Sequence, residues 1–310
     1  MLLTLTANSL RSRLVAKKSR ADAGGAERLT LTDLPRFVRN ELGLFGLNLS
    51  TNLLVGADAA RLDAIRDAAD KAPCPCLVLV ESEIQPMGTT NDAAGDAAIA
   101  RLQKVVQAAS RLGCNSVGVA ISAEDSEDSY DFTIERLRRV LQVAERLEVN
   151  ILLSPSPGLT ADPDKLTELI KKVGGFRIGT FPDYYSASRS PDPLLYLRRL
   201  TPYASAVNAS VVGFKPRKAG ATGQPVHEPF DLVEYTKVVQ AVGYTGTLAL
   251  DFRGDVGGGG AGADPVEAIR QAKVVLESVI APQVATVPDA EGLLDADDEA
   301  DPEPGTDADE

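Results

Sequence analysis

The spacing of hydrophobic positions changes repeatedly along this chain, and the clearest change lies between residues 149 and 183. Residues 149–153 form a short, mostly apolar run that is too short for a helix and precedes a Ser-Pro-Ser-Pro-Gly turn, so the run predicts a buried strand. Asp162 and Pro163 then suit a helix N-cap and first turn, and apolar residues at helical spacing continue as far as a Gly-Gly pair. A second strand is predicted over residues 176–181. Buried strands joined by a helix indicate a parallel sheet.

The same alternation of strand and helix recurs along most of the chain. Eight strands are predicted, over residues 2–6, 44–49, 76–80, 116–121, 149–153, 176–181, 206–212 and 247–252. Helical spacing follows each strand, over residues 32–43, 58–72, 97–112, 132–147, 163–173, 193–201, 230–242 and 265–280. Eight such repeats without a break in composition favour a single (β/α)₈ TIM barrel, of the α/β class, over two smaller domains.

Charge is distributed unevenly between this region and the end of the chain. The formal net charge is −12, but eleven acidic residues lie after Val284, and without them the charge is about −1. The acidic segment has too few apolar residues to offset the entropy cost of ordering. We therefore expect a barrel over residues 1–281 and a disordered acidic tail over residues 282–310. A nearly neutral barrel gives no reason to expect a nucleic-acid partner.

The cysteines, the single histidine and the lengths of the apolar runs exclude further classes of protein. The three cysteines and the single histidine lack the spacing of a zinc site or a disulfide framework, so we expect buried thiols in a reducing compartment. No apolar run is long enough to cross a bilayer, and the N-terminal region lacks the apolar core of a signal peptide. These features predict a cytoplasmic protein with no membrane partner.

The region that shows the strand-helix-strand pattern also carries a family motif. Residues 162–164 read Asp-Pro-Asp, and a Gly-Thr-x-Pro-Asp motif is formed by Gly179, Thr180, Pro182 and Asp183. In both features the chain resembles the xylose isomerase-like sugar phosphate isomerase/epimerase family. The resemblance covers about residues 28–280 and implies a TIM barrel.

The resemblance also implies where a divalent cation would bind. Members of the family hold one cation with Glu, Asp, His and Glu from four successive strand ends, and two of the acids also transfer protons. The matching positions here are Ser154, Asp183, Asn208 and Asp251. Asp183 and Asp251 are therefore the predicted catalytic and metal-binding residues, while Ser154 and Asn208 are predicted to bind the ligand. The expected cofactor is either none or a weakly bound Mn²⁺ or Mg²⁺.

Besides the missing family glutamate and histidine, two further substitutions indicate that this metal site is weak or lost. Asp251 is one methylene shorter than the family glutamate, and Arg253 replaces a second glutamate and brings positive charge to the site. The alternative is a rearranged metal site that recruits Glu81, Glu83 or Glu124 from neighbouring strand ends.

A polar, partly cationic rim is expected to contact the ligand at the mouth of the barrel. Its predicted members are Arg177, Tyr184, Tyr185, Lys215, Arg217 and Arg253. The glycine-rich stretch over residues 254–260 precedes a helix, so it is either a phosphate-binding loop or a flexible connection.

Together these features predict a sugar phosphate isomerase/epimerase-like barrel with a degenerate metal site. Such a protein would bind a small sugar, polyol or sugar phosphate, with weak or no metal-dependent catalysis. One alternative is an active metal-dependent isomerase or epimerase. Another is a non-catalytic scaffold that uses the barrel and the acidic tail as interaction surfaces. The sequence leaves open whether the protein is an enzyme and what its oligomeric state is.

Overall fold

Eight parallel strands form one curved sheet in the computed structural model, which describes residues 1–15, 28–215, 223–254 and 264–280. The strands, in chain order and including a short hairpin, are β1 (Leu2–Thr6), β2 (Leu47–Ser50), β3 (Cys76–Val80), β4 (Ser116–Ala120), β5 (Asn150–Ser154), β6 (Ile178–Thr180), β7 (Ala206–Val211), β8 (Gly213–Phe214), β9 (His227–Glu228) and β10 (Thr247–Phe252). The large sheet has the order β6-β5-β4-β3-β2-β1-β10-β7, and β8 pairs antiparallel with β9.

The two edges of this sheet meet between β6 and β7. Isolated parallel bridges join Thr180 to Ala204 and Asp183 to Asn208, and the amide N–H of Asn208 donates to the carbonyl of Pro182 over 2.9 Å. The sheet therefore closes on itself, and the predicted TIM barrel is confirmed.

Helices surround the sheet. They are α1 (Leu34–Glu41), α2 (Ala59–Lys71), α3 (Asp92–Leu112), α4 (Glu127–Arg146), α5 (Pro163–Val173), α6 (Tyr184–Ser188), α7 (Pro193–Leu200), α8 (Leu232–Ala241) and α9 (Pro265–Ile280). Several begin at a side chain that accepts a backbone N–H, as Asp162 does for α5. Such caps explain why α3 and α4 begin five residues before the predicted starts, because Asn91 and Ser126 accept the first free N–H groups.

The interior of the barrel is divided into an apolar part and a polar part. Alternate residues of a strand point to opposite faces, and those facing the helices join the large apolar core, as Leu5 and Leu250 do. A small separate apolar cluster is formed by Val78, Leu152, Phe181 and Ala206. Strands β1, β2, β7 and β10 instead carry buried polar residues, which are Thr4, Thr6, Asn48, Ser50, Asn208, Ser210 and Asp251. The polar part is where a hydrophilic ligand would be accommodated.

Two elements differ from the sequence prediction, and some predicted features lie outside the described residues. Helix α6 and the hairpin β8–β9 were not predicted, because each is too short to produce a periodic pattern.

The three cysteines are buried and free, and burial is the main cause that raises the pKa of Cys74 to about 12. No helix in the described ranges is both long and apolar enough to cross a membrane. The acidic tail, Arg217 and residues 255–260 lie outside the described residues.

Candidate functional site

Three of the four positions implied by the family resemblance lie on or directly after the neighbouring strands β6, β7 and β10. Asp183 follows β6 and is bridged to Asn208 of β7, and Asp251 of β10 pairs in register with Ser210 of β7. The fourth position, Ser154, is the last residue of β5 and is half-buried. All four thus lie toward the end of the barrel where ligands bind in this fold.

Asp183 is held by three hydrogen bonds. Its Oδ1 accepts the backbone N–H of Ser186 over 2.8 Å, which caps α6. Its Oδ2 accepts the hydroxyl of Ser210 over 2.6 Å and Nη2 of Arg253 over 2.9 Å. Both carboxylate oxygens of this buried side chain therefore have protein partners.

Arg253 joins the two carboxylates of the site. Its Nε donates to Oδ2 of Asp251 over 2.7 Å, while its Nη2 bonds to Asp183. The arginine side chain is 30% exposed, whereas each aspartate side chain is 9% exposed. A guanidinium has five N–H groups, so its bonds to these carboxylates use two of them, and the partial exposure of the side chain lets others reach a ligand. We call Asp183, Asp251 and Arg253 the arginine triad.

Burial and charge act against each other within the arginine triad. Burial raises the pKa of Asp251, the Arg253 guanidinium opposes that rise, and the neighbouring Asp183 carboxylate adds to it. Burial also acts to lower the pKa of Arg253, but its two aspartates together raise that pKa above the ordinary value. Arg253 therefore remains a permanent cation at the centre of the site.

Buried amide groups without hydrogen-bond partners among the described residues lie on β2 and in the turns after β1 and β2. Asn48 of β2 is fully buried, and within the part of the chain that the structure describes neither its amide oxygen nor its amide nitrogen has a hydrogen-bond partner. It pairs in register with Thr6 of β1, whose hydroxyl donates to Oδ1 of Asn208 over 3.3 Å. The amide oxygens of Asn8 and Asn52, in the turns after β1 and β2, are likewise buried and unpaired. Buried polar atoms normally have partners, so these four atoms are available to water or to a polar ligand.

The sequence prediction did not include Asn8 or Asn52. Both follow a strand of the polar part by two residues, and this position after a strand is the signal that could have identified them. Their missing partners could not be read from the sequence, because hydrogen bonding depends on the folded neighbours.

The structure places three other residues predicted to bind the ligand in three different surroundings. Arg177 precedes β6 at the opposite end of the barrel and donates to the carbonyl of Glu148 over 3.0 Å. Tyr184 is fully buried in the core, where its hydroxyl lies 3.1 Å from that of Thr236. Lys215 is exposed after β8 and pairs with Glu228 over 3.2 Å. The structure thus brings neither Arg177 nor Tyr184 to the mouth.

Tyr185, the other tyrosine predicted for the rim, lies beside Arg253. Its ring lies 5.7 Å from the guanidinium carbon of Arg253, measured to the ring centroid. Neighbouring residues on a helix point about 100° apart, so one tyrosine packs into the core while the next faces the mouth.

The alternative acidic site is not assembled. The carboxylate of Glu81 accepts Nε of Arg101 over 2.7 Å and the hydroxyl of Thr51 over 3.0 Å, whereas Glu83 and Glu124 are exposed. Within residues 1–15, 28–215, 223–254 and 264–280, no group of three or more His, Cys, Asp or Glu side chains is placed to hold a metal ion.

Comparison with known proteins places this geometry in a family. A D-psicose 3-epimerase structure determined in the presence of D-fructose matches with a TM-score of 0.68 and 15% identity, covering 90% of this chain and 99% of that one. An L-ribulose 3-epimerase matches with a TM-score of 0.69 and 13% identity over 90% and 95% of the two chains. The IOLI protein, described with a bound zinc atom, matches with a TM-score of 0.66 and 13% identity over 91% and 100%.

Identities this low show a shared fold, and no curated protein matches the sequence. The family model described as xylose isomerase-like TIM barrel, however, matches residues 41–278, which is more than half of the chain. This chain therefore belongs to the xylose isomerase-like TIM barrel family.

Proposed function

We propose that this protein binds a small sugar or polyol at the mouth of the barrel and does so without a divalent metal ion. The observation that carries the proposal is the position of Arg253, whose guanidinium bonds to both Asp183 and Asp251. The positive charge that offsets part of the charge of these two carboxylates comes from the chain itself.

The donor groups at this site do not fit a resident divalent cation. Mg²⁺ and Mn²⁺ require several oxygen ligands in a near-octahedral arrangement, and they favour carboxylates and water. Here Arg253 already binds the carboxylates of Asp183 and Asp251, and its charge repels a second cation. Ser154 and Asn208 offer neutral oxygens. We therefore infer that the isomerase or epimerase chemistry that depends on a metal is weak or absent.

A hydroxyl-rich molecule matches the remaining polar groups. Arg253 presents N–H donors on one side of the mouth, and the amides of Asn8, Asn48 and Asn52 present buried acceptor oxygens on the side of β1 and β2. Each hydroxyl of a sugar both donates and accepts hydrogen bonds, so it can bind either to the N–H donors of Arg253 or to the asparagine amide oxygens. The D-fructose in the related epimerase structure agrees with this class of ligand. A sugar phosphate is the less favoured ligand, because the two aspartates already offset the charge of Arg253.

Isothermal titration with Mn²⁺ tests the metal-free part of the proposal. The unmodified protein should show no tight site. The double variant Ser154→Glu, Asn208→His restores two family ligands, and adding Arg253→Ala removes the competing cation. Mn²⁺ binding should therefore strengthen stepwise from the native protein to the double and then to the triple variant. Micromolar binding by the native protein that Asp183→Ala abolishes would overturn the proposal and favour an active metal-dependent isomerase.

Titration with D-fructose, D-psicose, L-ribulose and a set of linear polyols tests the ligand class. At least one should bind equally well with and without EDTA, and Arg253→Met should weaken that binding. Absence of binding by every member of the set would contradict a sugar-binding function.

A further inference from the structure

A groove of about 770 Å³ lies next to the mouth of the barrel, between α6 and the hairpin β8–β9. Its side walls and floor include Tyr185, Arg189, Phe214, Lys215, Glu228 and Phe230. Its volume lies within the range of about 300–1,000 Å³ that is usual for small-molecule sites, and it is larger than one sugar ring requires.

Tyr185 forms a wall shared by the groove and the mouth. The centroid of its ring lies 5.7 Å from the guanidinium carbon of Arg253 on the side of the mouth and 5.7 Å from that of Arg189 on the side of the groove. Arg189 also donates to the tyrosine hydroxyl over 3.2 Å. A ligand bound at Arg253 therefore has the groove directly beside it.

The wall opposite Tyr185 is held in place by His227. Its Nε2 accepts the backbone N–H of Val212 over 2.9 Å, which leaves the proton on Nδ1, and Nδ1 donates to the carbonyl of Phe230 over 2.7 Å. The ring of His227 also packs edge to face against Phe214, at 5.3 Å between centroids. The groove is therefore preformed, which reduces the entropy cost of binding.

The charges around the groove balance one another. Arg189 and Lys215 are the cations, and Glu228 and Asp231 are the carboxylates. Lys215 pairs with Glu228 over 3.2 Å, and Asp231 caps α8 by accepting the N–H of Val233 over 2.7 Å. Among the residues that the structure describes around the groove, a phosphate would meet no excess of positive charge. A neutral ring with hydroxyl groups fits better, because it can pack its C–H face on the half-buried rings of Tyr185 and Phe214.

We propose that this groove is a second sugar subsite, so that the ligand is a glycoside or disaccharide with one ring at the arginine triad and the next in the groove. The inference rests on the proposed function and extends it to a larger ligand. It predicts that a suitable disaccharide binds more tightly than either of its component monosaccharides.

The chain contains no tryptophan, so a single introduced tryptophan can report on the groove. In the Phe214→Trp variant, titration with sucrose, cellobiose and maltose should shift the emission for at least one sugar, while D-glucose and D-fructose should not. Phe176→Trp is the matched control, because Phe176 is fully exposed at the other end of the barrel, just before β6. A shift of the emission in both variants would overturn the proposal, since such a shift would not depend on a sugar bound in the groove.

Calorimetry with Phe214→Ala separates the two proposals. The variant should weaken disaccharide binding about three- to tenfold, as expected for loss of an aromatic contact, and leave monosaccharide binding unchanged. Equal affinity of the native protein for disaccharides and monosaccharides, or equal losses for both in the variant, would overturn the subsite while the sugar-binding function stands. Failure of every sugar to bind the native protein would overturn both.

Discussion

Arg253 donates a hydrogen bond from Nη2 to Oδ2 of Asp183 over 2.9 Å, although 70 positions separate the two residues in the sequence. The bond crosses from the end of β10 to the loop after β6 and passes over β7, which lies next to both. It therefore stabilises the part of the barrel where the sheet closes through isolated bridges.

Arg253→Met should destabilise the protein by about 2–3 kcal/mol at pH 7. Removing one partner of a buried ion pair typically costs roughly 3–5 kcal/mol, and the partial exposure of Arg253 lowers that figure. The loss measured by urea unfolding should become smaller as the pH is lowered, because burial raises the pKa of Asp251 and protonation of Asp251 removes its repulsion with Asp183.

Arg66→Met is the matched control for this experiment. Arg66 and Asp70 form an exposed pair one helical turn apart, at 3.8 Å, so the change should cost less than about 0.5 kcal/mol. Equal losses in the two variants would mean that the arginine triad contributes no more than a surface ion pair.

Asn48→Leu should make the free protein more stable and abolish sugar binding. The substitution replaces a buried amide that lacks protein partners with an apolar group of similar size, which should raise the free energy of unfolding by about 1–2 kcal/mol. Asn208→Leu should instead make the free protein less stable, because the amide oxygen of Asn208 accepts the Thr6 hydroxyl and the substitution removes that hydrogen bond. Chemical denaturation of both variants distinguishes these outcomes, and a less stable Asn48→Leu protein would contradict the view that this amide is reserved for a ligand.

The single histidine should make stability depend on pH in a narrow window. Burial lowers the pKa of His227 below its ordinary value of 6.5, so the unfolded chain binds this proton more readily than the folded chain. The contribution of neutral His227 to the free energy of unfolding is therefore fully present above pH 6.5, the ordinary pKa of histidine. It is lost as the pH falls from 6.5 toward the lowered pKa of His227 in the folded protein.

The variant His227→Gln tests this dependence. The difference in unfolding free energy between native and variant proteins should decrease as the pH falls through this window, while the carboxylates titrate equally in both. A constant difference between pH 7.5 and 5 would contradict the expected coupling.

Removing the acidic tail should leave thermal stability nearly unchanged. The last described helix, α9, ends at Ile280, and its buried residues all precede the proposed cut after Ala281. We expect the melting temperature of the shortened protein to fall by less than about 4 °C, which corresponds to roughly 1–2 kcal/mol for a chain of this size. A larger fall, measured by calorimetry, would show that the tail contributes to the fold.

The eight strands could be predicted because each is a short apolar run bounded by turn residues. The boundaries were less certain, and the second strand begins at Leu47 instead of the predicted residue 44. Leu44 is fully buried like a strand residue, so its apolar character alone could not separate it from β2. The periodicity of hydrophobic residues indicates which side chains are buried, whereas the first and last residues of a strand depend on its backbone hydrogen bonds to neighbouring strands.

The candidate site was only partly predictable. The motif that contains Asp183 and the match at Asp251 identified two residues that do meet, but the sequence did not show that Arg253 bonds to both. Arg177 was expected at the mouth, yet it lies before its strand and so at the other end of the barrel. The direction of a side chain at the end of a strand depends on whether it precedes or follows that strand.

An arginine at the centre of a binding site is a counter-ion that cannot dissociate. Asp183 and Asp251 have the same cationic partner in every folded copy of the chain, at a fixed ratio of one guanidinium to two carboxylates. No chelator can remove this charge, no competing ion can exchange with it, and its supply does not vary with the ionic composition of the surroundings.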